Sequence, residues 1–97
     1  MKKAYITGGS SGIGFAVAGE LARRGADILL MARNPERLTA AAAELRSLHV
    51  RPEQKIETLA LDVGDGKAVK ALLPPAARAF GDPDILVNCA GDRKSVV

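Results

Sequence analysis

Thr7-Gly8-Gly9-Ser10-Ser11-Gly12-Ile13-Gly14 is the stretch whose reading decides the fold. Before it, Lys3–Thr7 carries the compact apolar segment Ala4-Tyr5-Ile6 and reads as a short strand. After it, from Ile13, a helical pattern places Val17, Leu21 and Ala18/Ala22 on one stripe, with Glu20, Arg23 and Arg24 off it. Glycines at such a strand-to-helix turn permit positive φ, let backbone approach a pyrophosphate closely, and allow the helix to lie tightly on its strand. The free N–H groups and dipole of the helix start favour a phosphate without a basic side chain. Ser10 and Ser11 add hydroxyl donors. The competing interpretation is an ordinary glycine-rich turn; the strand–turn–helix setting favours the anion-binding one. No Gly-Lys-Ser/Thr follows, so the stretch is not a P-loop.

The alternation continues outward. Gly25 stands where a left-handed residue would end the first helix. Asp27–Ala32, with Ile28-Leu29-Leu30-Met31, is apolar on both faces, as a buried parallel strand requires. Asn34-Pro35-Glu36 then supplies a cap, a proline at the first helical position and an acid in the first turn. That helix is expected to run through Leu38, Ala41/Ala42, Leu45 and Leu48. After the polar link His49–Lys55, Ile56–Val63 reads as a third strand and Gly64-Asp65-Gly66 as a break. Ala68–Phe80 is helical in composition, but Pro74-Pro75 is expected to kink or split it. Asp84–Asn88, with Ile85-Leu86-Val87, reads as a fourth strand. The order β-α-β-α-β-α-β implies right-handed crossovers and a parallel sheet with helices on both faces. The fold class is α/β, a doubly wound Rossmann-type sheet cut after its fourth strand.

Composition bounds the function. The chain has 97 residues, one small domain or a piece of one, and is 47% hydrophobic, enough for a core. Aromatics are 3%, so that core is aliphatic. One cysteine makes no internal disulfide, and no Cys/His cluster has metal-ligand spacing, which fits a reducing, cytoplasmic setting. The net charge is +3, but the basic residues are scattered and not interleaved with aromatics, which argues against nucleic acid. The apolar run Ile28–Ala32 is far short of the roughly 18 residues of a membrane span. Cys89 reads as a packed thiol, His49 as a solvated side chain, and Asp82 and Asp84 as turn residues around Pro83.

The glycine stretch resembles the short-chain dehydrogenase/reductase family, whose members carry Thr-Gly-x-x-x-Gly-x-Gly; Thr7, Gly8, Gly12 and Gly14 match it position by position. Asp62-Val63 is similar to the family's Asp-Val pair at the end of the third strand, which holds the adenine ring. Asn88-Cys89-Ala90-Gly91 is similar to its Asn-Asn-Ala-Gly element. The resemblance implies that Asn88 steadies the sheet and that Ala90-Gly91 runs beside the cofactor's ribose. It spans residues 3–91. On that ground residues 1–91 are expected to be the NADP-binding half of a Rossmann domain. Residues 92–97, Asp92-Arg93-Lys94-Ser95-Val96-Val97, look like a foreign or artefactual tail, because GATCGGAAGAGCGTCGTG, a common sequencing adapter, encodes them.

Cofactor preference follows from charge. A site for NAD places Asp or Glu at the end of the second strand to take both ribose hydroxyls. Here that position is Ala32, followed by Arg33, with Arg37 one helical turn on. A guanidinium pairs with a 2′-phosphate where a carboxylate would repel it. NADP(H) is therefore expected, with Gly8, Ser10, Ser11, Gly12, Ile13, Gly14, Arg33, Asn34, Arg37, Asp62, Val63, Asn88, Ala90 and Gly91 as cofactor-binding residues. The alternative is that Arg33 and Arg37 are solvated helix-start residues. Family catalysis uses a Tyr-x-x-x-Lys pair and an upstream Ser beyond the Asn-Ala-Gly element. The one tyrosine, Tyr5, stands in the first strand without a matching lysine, so no catalytic residue is assigned.

Within the family, Ala32-Arg33-Asn34, Leu86-Val87-Asn88-Cys89-Ala90-Gly91 and the long link Leu48–Lys55 most resemble 3-ketodihydrosphingosine reductases. These reduce a 3-keto sphingoid base in sphingolipid synthesis. The implied activity is NADPH-dependent reduction of a ketone, on a carbonyl substrate that is small and lipid-like, by a homo-oligomer. A 3-oxoacyl-carrier-protein reductase is the enzyme alternative, and a non-catalytic dinucleotide-binding module the alternative of another class.

Overall fold

A computed structural model describes residues 2–8, 12–48, 50–62 and 64–88. The expectations for Ser10, Ser11, His49, Val63, Cys89, Ala90, Gly91 and residues 92–97 lie outside the described residues. The elements run β1 (Lys3–Thr7), α1 (Gly12–Arg23), β2 (Asp27–Ala32), α2 (Pro35–Arg46), β3 (Ile56–Ala60), α3 (Gly66–Phe80) and β4 (Ile85–Asn88). The four strands form one parallel sheet in the order β3-β2-β1-β4. Thr7 aligns with Met31 on one side and with Asn88 on the other.

Alternation along the inner strands builds two cores. Ala4, Ile6, Ile28, Leu30 and Ile56 point to one face and meet Ala18 and Ala22 of α1 and Leu38, Ala41, Ala42 and Leu45 of α2. Tyr5, Leu29 and Met31 point to the other, against Phe80, Leu73 and Val69 of α3. The helices therefore cover both faces, as a parallel sheet with crossover connections demands.

The first helix differs in detail from the sequence reading. Its buried stripe is Gly14, Ala18, Gly19 and Ala22, while Val17 and Leu21 flank it half-buried. Small residues bring α1 close to the sheet and to α2; a Cβ on Gly19 would meet the Leu45 and Leu48 side chains at 4.0 and 3.8 Å. Gly25 ends the helix with φ +89°: its N–H donates to Ala22 O and that of Ala26 to Leu21 O. That pair of bonds is a Schellman motif.

Three expectations are corrected. The second helix stops at Arg46 rather than Leu48, with the Ser47 N–H turned back to Glu44 O. The third strand ends at Ala60 rather than Val63, because Asp62 gathers the next turn: its Oδ1 accepts from Gly64 N and its carbonyl from Asp65 N. Pro74-Pro75 does not split α3, which is one 15-residue helix. The prolines lack the N–H groups that would donate to the carbonyls of Lys70 and Ala71, both exposed residues. Asp65 caps the start through Lys67 N and Ala68 N, and the contacts of Val69, Leu73 and Phe80 hold the rest.

The link before β3 is more than a solvated connection. Gln54 is 4% exposed; its Nε2 donates to Ala22 O and Ala26 O, and its Oε1 accepts from Val50 N. Arg51 donates to Gly25 O and to Asp27 Oδ1, 2.9 Å away, which also accepts from Lys55 N. The loop is thereby tied to the start of β2, at the end of the sheet opposite the glycine turn.

Tyr5 is 3% exposed, stands edge-on to Phe80, and donates its hydroxyl to Gly81 O. Burial, with the Asp82 carboxylate adding to it, raises the phenol above its ordinary value. The neutral phenol is thus favoured by folding. That contribution is complete below the ordinary tyrosine value near ~10 and is lost as pH rises through the higher folded value. Tyr5→Phe is expected to cost about 1 kcal/mol at neutral pH and to flatten the loss of stability above pH ~10. Urea unfolding of both proteins across that range is the check; identical slopes would show that the phenol titrates alike folded and unfolded.

Candidate functional site

In a parallel sheet every strand ends at the same edge. The chain leaves β1 toward β2 and β3 on one side, then returns to β4 on the other, so the strand order reverses at β1. The crevice at the carboxyl ends beside such a reversal is where open α/β sheets bind ligands. Gly8, the amino end of α1, the residues after β2, Asp62 and Asn88 all lie at this edge.

Gly8 follows the last residue of β1, with φ +68°, and its N–H donates to Met31 O at 2.7 Å. Gly12 opens α1 with φ +62°, and a Cβ built on it would meet nothing within 4 Å. The backbone at the amino end of α1 therefore borders open space, in a conformation that a side chain disfavours. Ile13 is 76% exposed on the same turn, while Gly14 is buried beneath it.

At the end of β2, half-buried Ala32 offers no carboxylate. Arg33 and Arg37 are both exposed, and among the described residues neither makes an ion pair. Arg37 lines a groove between α1 and α2 with Phe15, one residue past Gly14, and with Ala40, Ala41 and Glu44. The structure thus brings Arg37 beside the first turn of α1. Asn34 between the two arginines caps α2: its Oδ1 accepts from Glu36 N at 2.9 Å and Arg37 N at 3.2 Å.

Asp62 reaches the same edge because Leu61 N still donates to Ala32 O beyond the end of β3. Its Oδ1 accepts from Gly64 N, which fixes the carboxylate at the turn. On the far side of β1, Thr7 donates its hydroxyl to Asn88 Oδ1 at 2.8 Å. The Val87 carbonyl, at 3.4 Å, is the weaker of two acceptors competing for one proton. Asn88 therefore ties β4 to β1 where the strand order reverses. Thr7 is the partner that the sequence reading left out of its site residues, although it opens the glycine motif and so was there to be found.

Among the described residues no helix is long and apolar enough to cross a membrane, and no group of three His, Cys, Asp or Glu side chains could hold a metal.

The sequence profile of the short chain dehydrogenase family matches residues 2–97. The chain belongs to the short-chain dehydrogenase family. Among its relatives, the 3-ketodihydrosphingosine reductase of Bos taurus is 39% identical over 87 residues, which is 89% of this chain and 26% of that protein. Glycine betaine reductase ATRR of Emericella nidulans is 44% identical over 90 residues, 93% of this chain and 7% of that protein. The chain thus spans about a quarter or less of these two curated relatives. The solved L-sorbose reductase of Gluconobacter frateurii, complexed with NADPH and L-sorbose, superposes with a TM-score of 0.82 at 42% identity, covering 94% of this chain and 34% of that one. A betaketoacyl-[ACP] reductase of Bacteroides thetaiotaomicron gives 0.81 at 32% identity, covering 94% of this chain and 41% of that one. The resemblance read from Thr7, Gly8, Gly12 and Gly14 is borne out. So is the likeness to 3-ketodihydrosphingosine reductases as a subgroup of relatives.

The Thr7–Asn88 bond is open to a double-mutant cycle. Thr7→Val and Asn88→Ala are expected to couple by about 0.5–1.5 kcal/mol in urea unfolding. Strict additivity would show that the threonine hydroxyl is satisfied elsewhere.

Proposed function

We propose that residues 1–91 form the NADP(H)-binding half of a short-chain reductase that converts a ketone to a secondary alcohol. The observation that carries this reading is the end of β2, where Ala32 stands in place of a carboxylate and exposed Arg33 and Arg37 flank the cap of α2. A dinucleotide fits the residues present. Open backbone at Gly12 and the amino end of α1 suit the pyrophosphate, and Ser10 and Ser11 add hydroxyls to that turn. Arg33, Asn34 and Arg37 suit the 2′-phosphate. Asp62 and Val63 would flank the adenine, and Ala90 and Gly91 the ribose, while Gly8, Ile13 and Gly14 belong to the glycine motif and Asn88 steadies the sheet beside it. When bound, NADPH supplies the hydride.

The substrate class rests on relatives alone. The 3-ketodihydrosphingosine reductases among them support a lipid-like 3-keto substrate in sphingolipid synthesis. The similarity to a betaketoacyl-[ACP] reductase supports a 3-oxoacyl thioester instead. In either case the full protein is a cytoplasmic homo-oligomer acting on a small carbonyl compound.

Arg33→Ala in the full-length protein is expected to weaken NADPH by roughly 1.5–3 kcal/mol, the scale of a charged hydrogen bond, and to leave NADH nearly unchanged. Adding Ala32→Asp shifts the preference further toward NADH. Calorimetric titration with each cofactor is the test. Equal weakening of both would assign Arg33 to the fold or the shared pyrophosphate site and remove the basis for NADP(H).

The 97-residue chain by itself is expected to consume no NADPH with ketones, because Tyr5, its one tyrosine, is buried against Phe80 and no Tyr-x-x-x-Lys is present. General acid–base help alone is worth about 10²–10⁴ in rate. Turnover at rates typical of an enzyme would overturn this.

A further inference from the structure

Strand β3 closes one side of the sheet. β2 lies along its inner side, and among the described residues no strand lies along its outer side. The register runs from Ile56 opposite Ile28 to Ala60 opposite Ala32 with no residue skipped, so no bulge bends this edge. Ile56-Glu57-Thr58-Leu59-Ala60 contains neither lysine nor proline, and Glu57, Thr58 and Ala60 are exposed. An edge of that kind offers its free backbone groups to another strand unless something covers them.

The ladder fixes which groups are free. Ile28 N donates to Lys55 O, and Leu61 N donates to Ala32 O. In a parallel pair this turns the backbone groups of Glu57 and Leu59 toward β2, and those of Ile56, Thr58 and Ala60 outward. One outward group is taken. Arg46, the last residue of α2, donates its Nη2 to Ile56 O at 2.7 Å. Among the described residues no carboxylate pairs with Arg46, so its guanidinium meets that carbonyl with its charge unneutralised.

The edge also matches itself. Two copies of β3 set antiparallel about a two-fold axis at Thr58 place Thr58 opposite Thr58 and Ile56 opposite Ala60. All of these residues face outward, and opposed residues of this kind exchange both backbone bonds in an antiparallel pair. The Ile56 carbonyl is then the acceptor for the Ala60 N–H of the second copy, twice over by symmetry. Arg46 occupies that acceptor and sets a cation in the path of the incoming strand. We infer that Arg46 is an edge guard, holding the outer side of β3 closed to pairing with a second copy of this chain.

The test is sedimentation velocity of the full-length protein over a range of concentrations, with hydrogen exchange followed at the Thr58 and Ala60 amides. In the parent those two amides are expected to exchange freely at every concentration; protection there would overturn the guard. Arg46→Met keeps an unbranched stem at the end of α2 and removes the donor. It is expected to form species larger than the parent's at a concentration roughly tenfold lower, the scale of one charged hydrogen bond, with exchange at Thr58 and Ala60 slowed in those species. Thr58→Pro removes an outward N–H and no bond to β2, and is expected to return the Arg46→Met protein to the state of the parent. Thr58→Lys, which charges the same edge and leaves the backbone unaltered, is expected to do the same and serves where the proline unfolds the chain. Arg46→Met matching the parent at every concentration would overturn the proposal. So would larger species that persist with Thr58→Lys or leave exchange at Thr58 and Ala60 fast, because association would then arise from unfolding or from another surface.

Discussion

Strand β1 has a hydrogen-bonded neighbour on each side, and the rest of the arrangement depends on that. Because β2 takes one edge and β4 the other, the strand order reverses at β1, and the crevice beside such a reversal lies at the carboxyl end of the sheet. Burial on both faces forces the inner strands to be apolar throughout, so they offer no chemistry of their own. Polar function is pushed to where they stop. Buried Thr7 and half-buried Ala32 close β1 and β2 at that edge, and exposed Asp62 and Asn88 stand beside them.

The same constraint explains why α1 is built from small residues. A helix whose amino end borders the crevice must lie close to the sheet, and Gly14, Ala18, Gly19 and Ala22 allow that approach. The amino end of α1 and the end of β2 are brought near one another by this closeness, through the groove that Phe15 shares with Arg37.

The elements with strong local signals were legible in the sequence. β1 and β2 were read to the residue, as were Gly25 as a left-handed stop and Asn34 as a cap, since each is determined within a few residues of chain. What was missed depends on contacts distant in sequence. Gln54 reads as an ordinary loop polar residue until the carbonyls of Ala22 and Ala26, 32 and 28 positions away, come within reach. Pro74-Pro75 reads as a kink or a split because proline propensity is local, whereas the packing of Leu73 and Phe80 that keeps α3 one helix is not. At the site, the glycines and arginines were visible as residue types. The bond from Thr7 to Asn88 spans 81 positions and required the sheet order.

The position of Tyr5 has a practical consequence. The chain has no tryptophan and a single tyrosine, so its near-ultraviolet absorption and intrinsic emission arise almost wholly from one ring. That ring lies where β1 meets the end of α3, edge-on to Phe80 and bonded to Gly81. Optical spectroscopy therefore reads one junction, the docking of α3 on the sheet, and is nearly blind to α1 and α2 on the opposite face. A spectroscopic transition that precedes loss of far-ultraviolet helical signal would mark α3 leaving first, while the face that carries the glycine turn stays assembled.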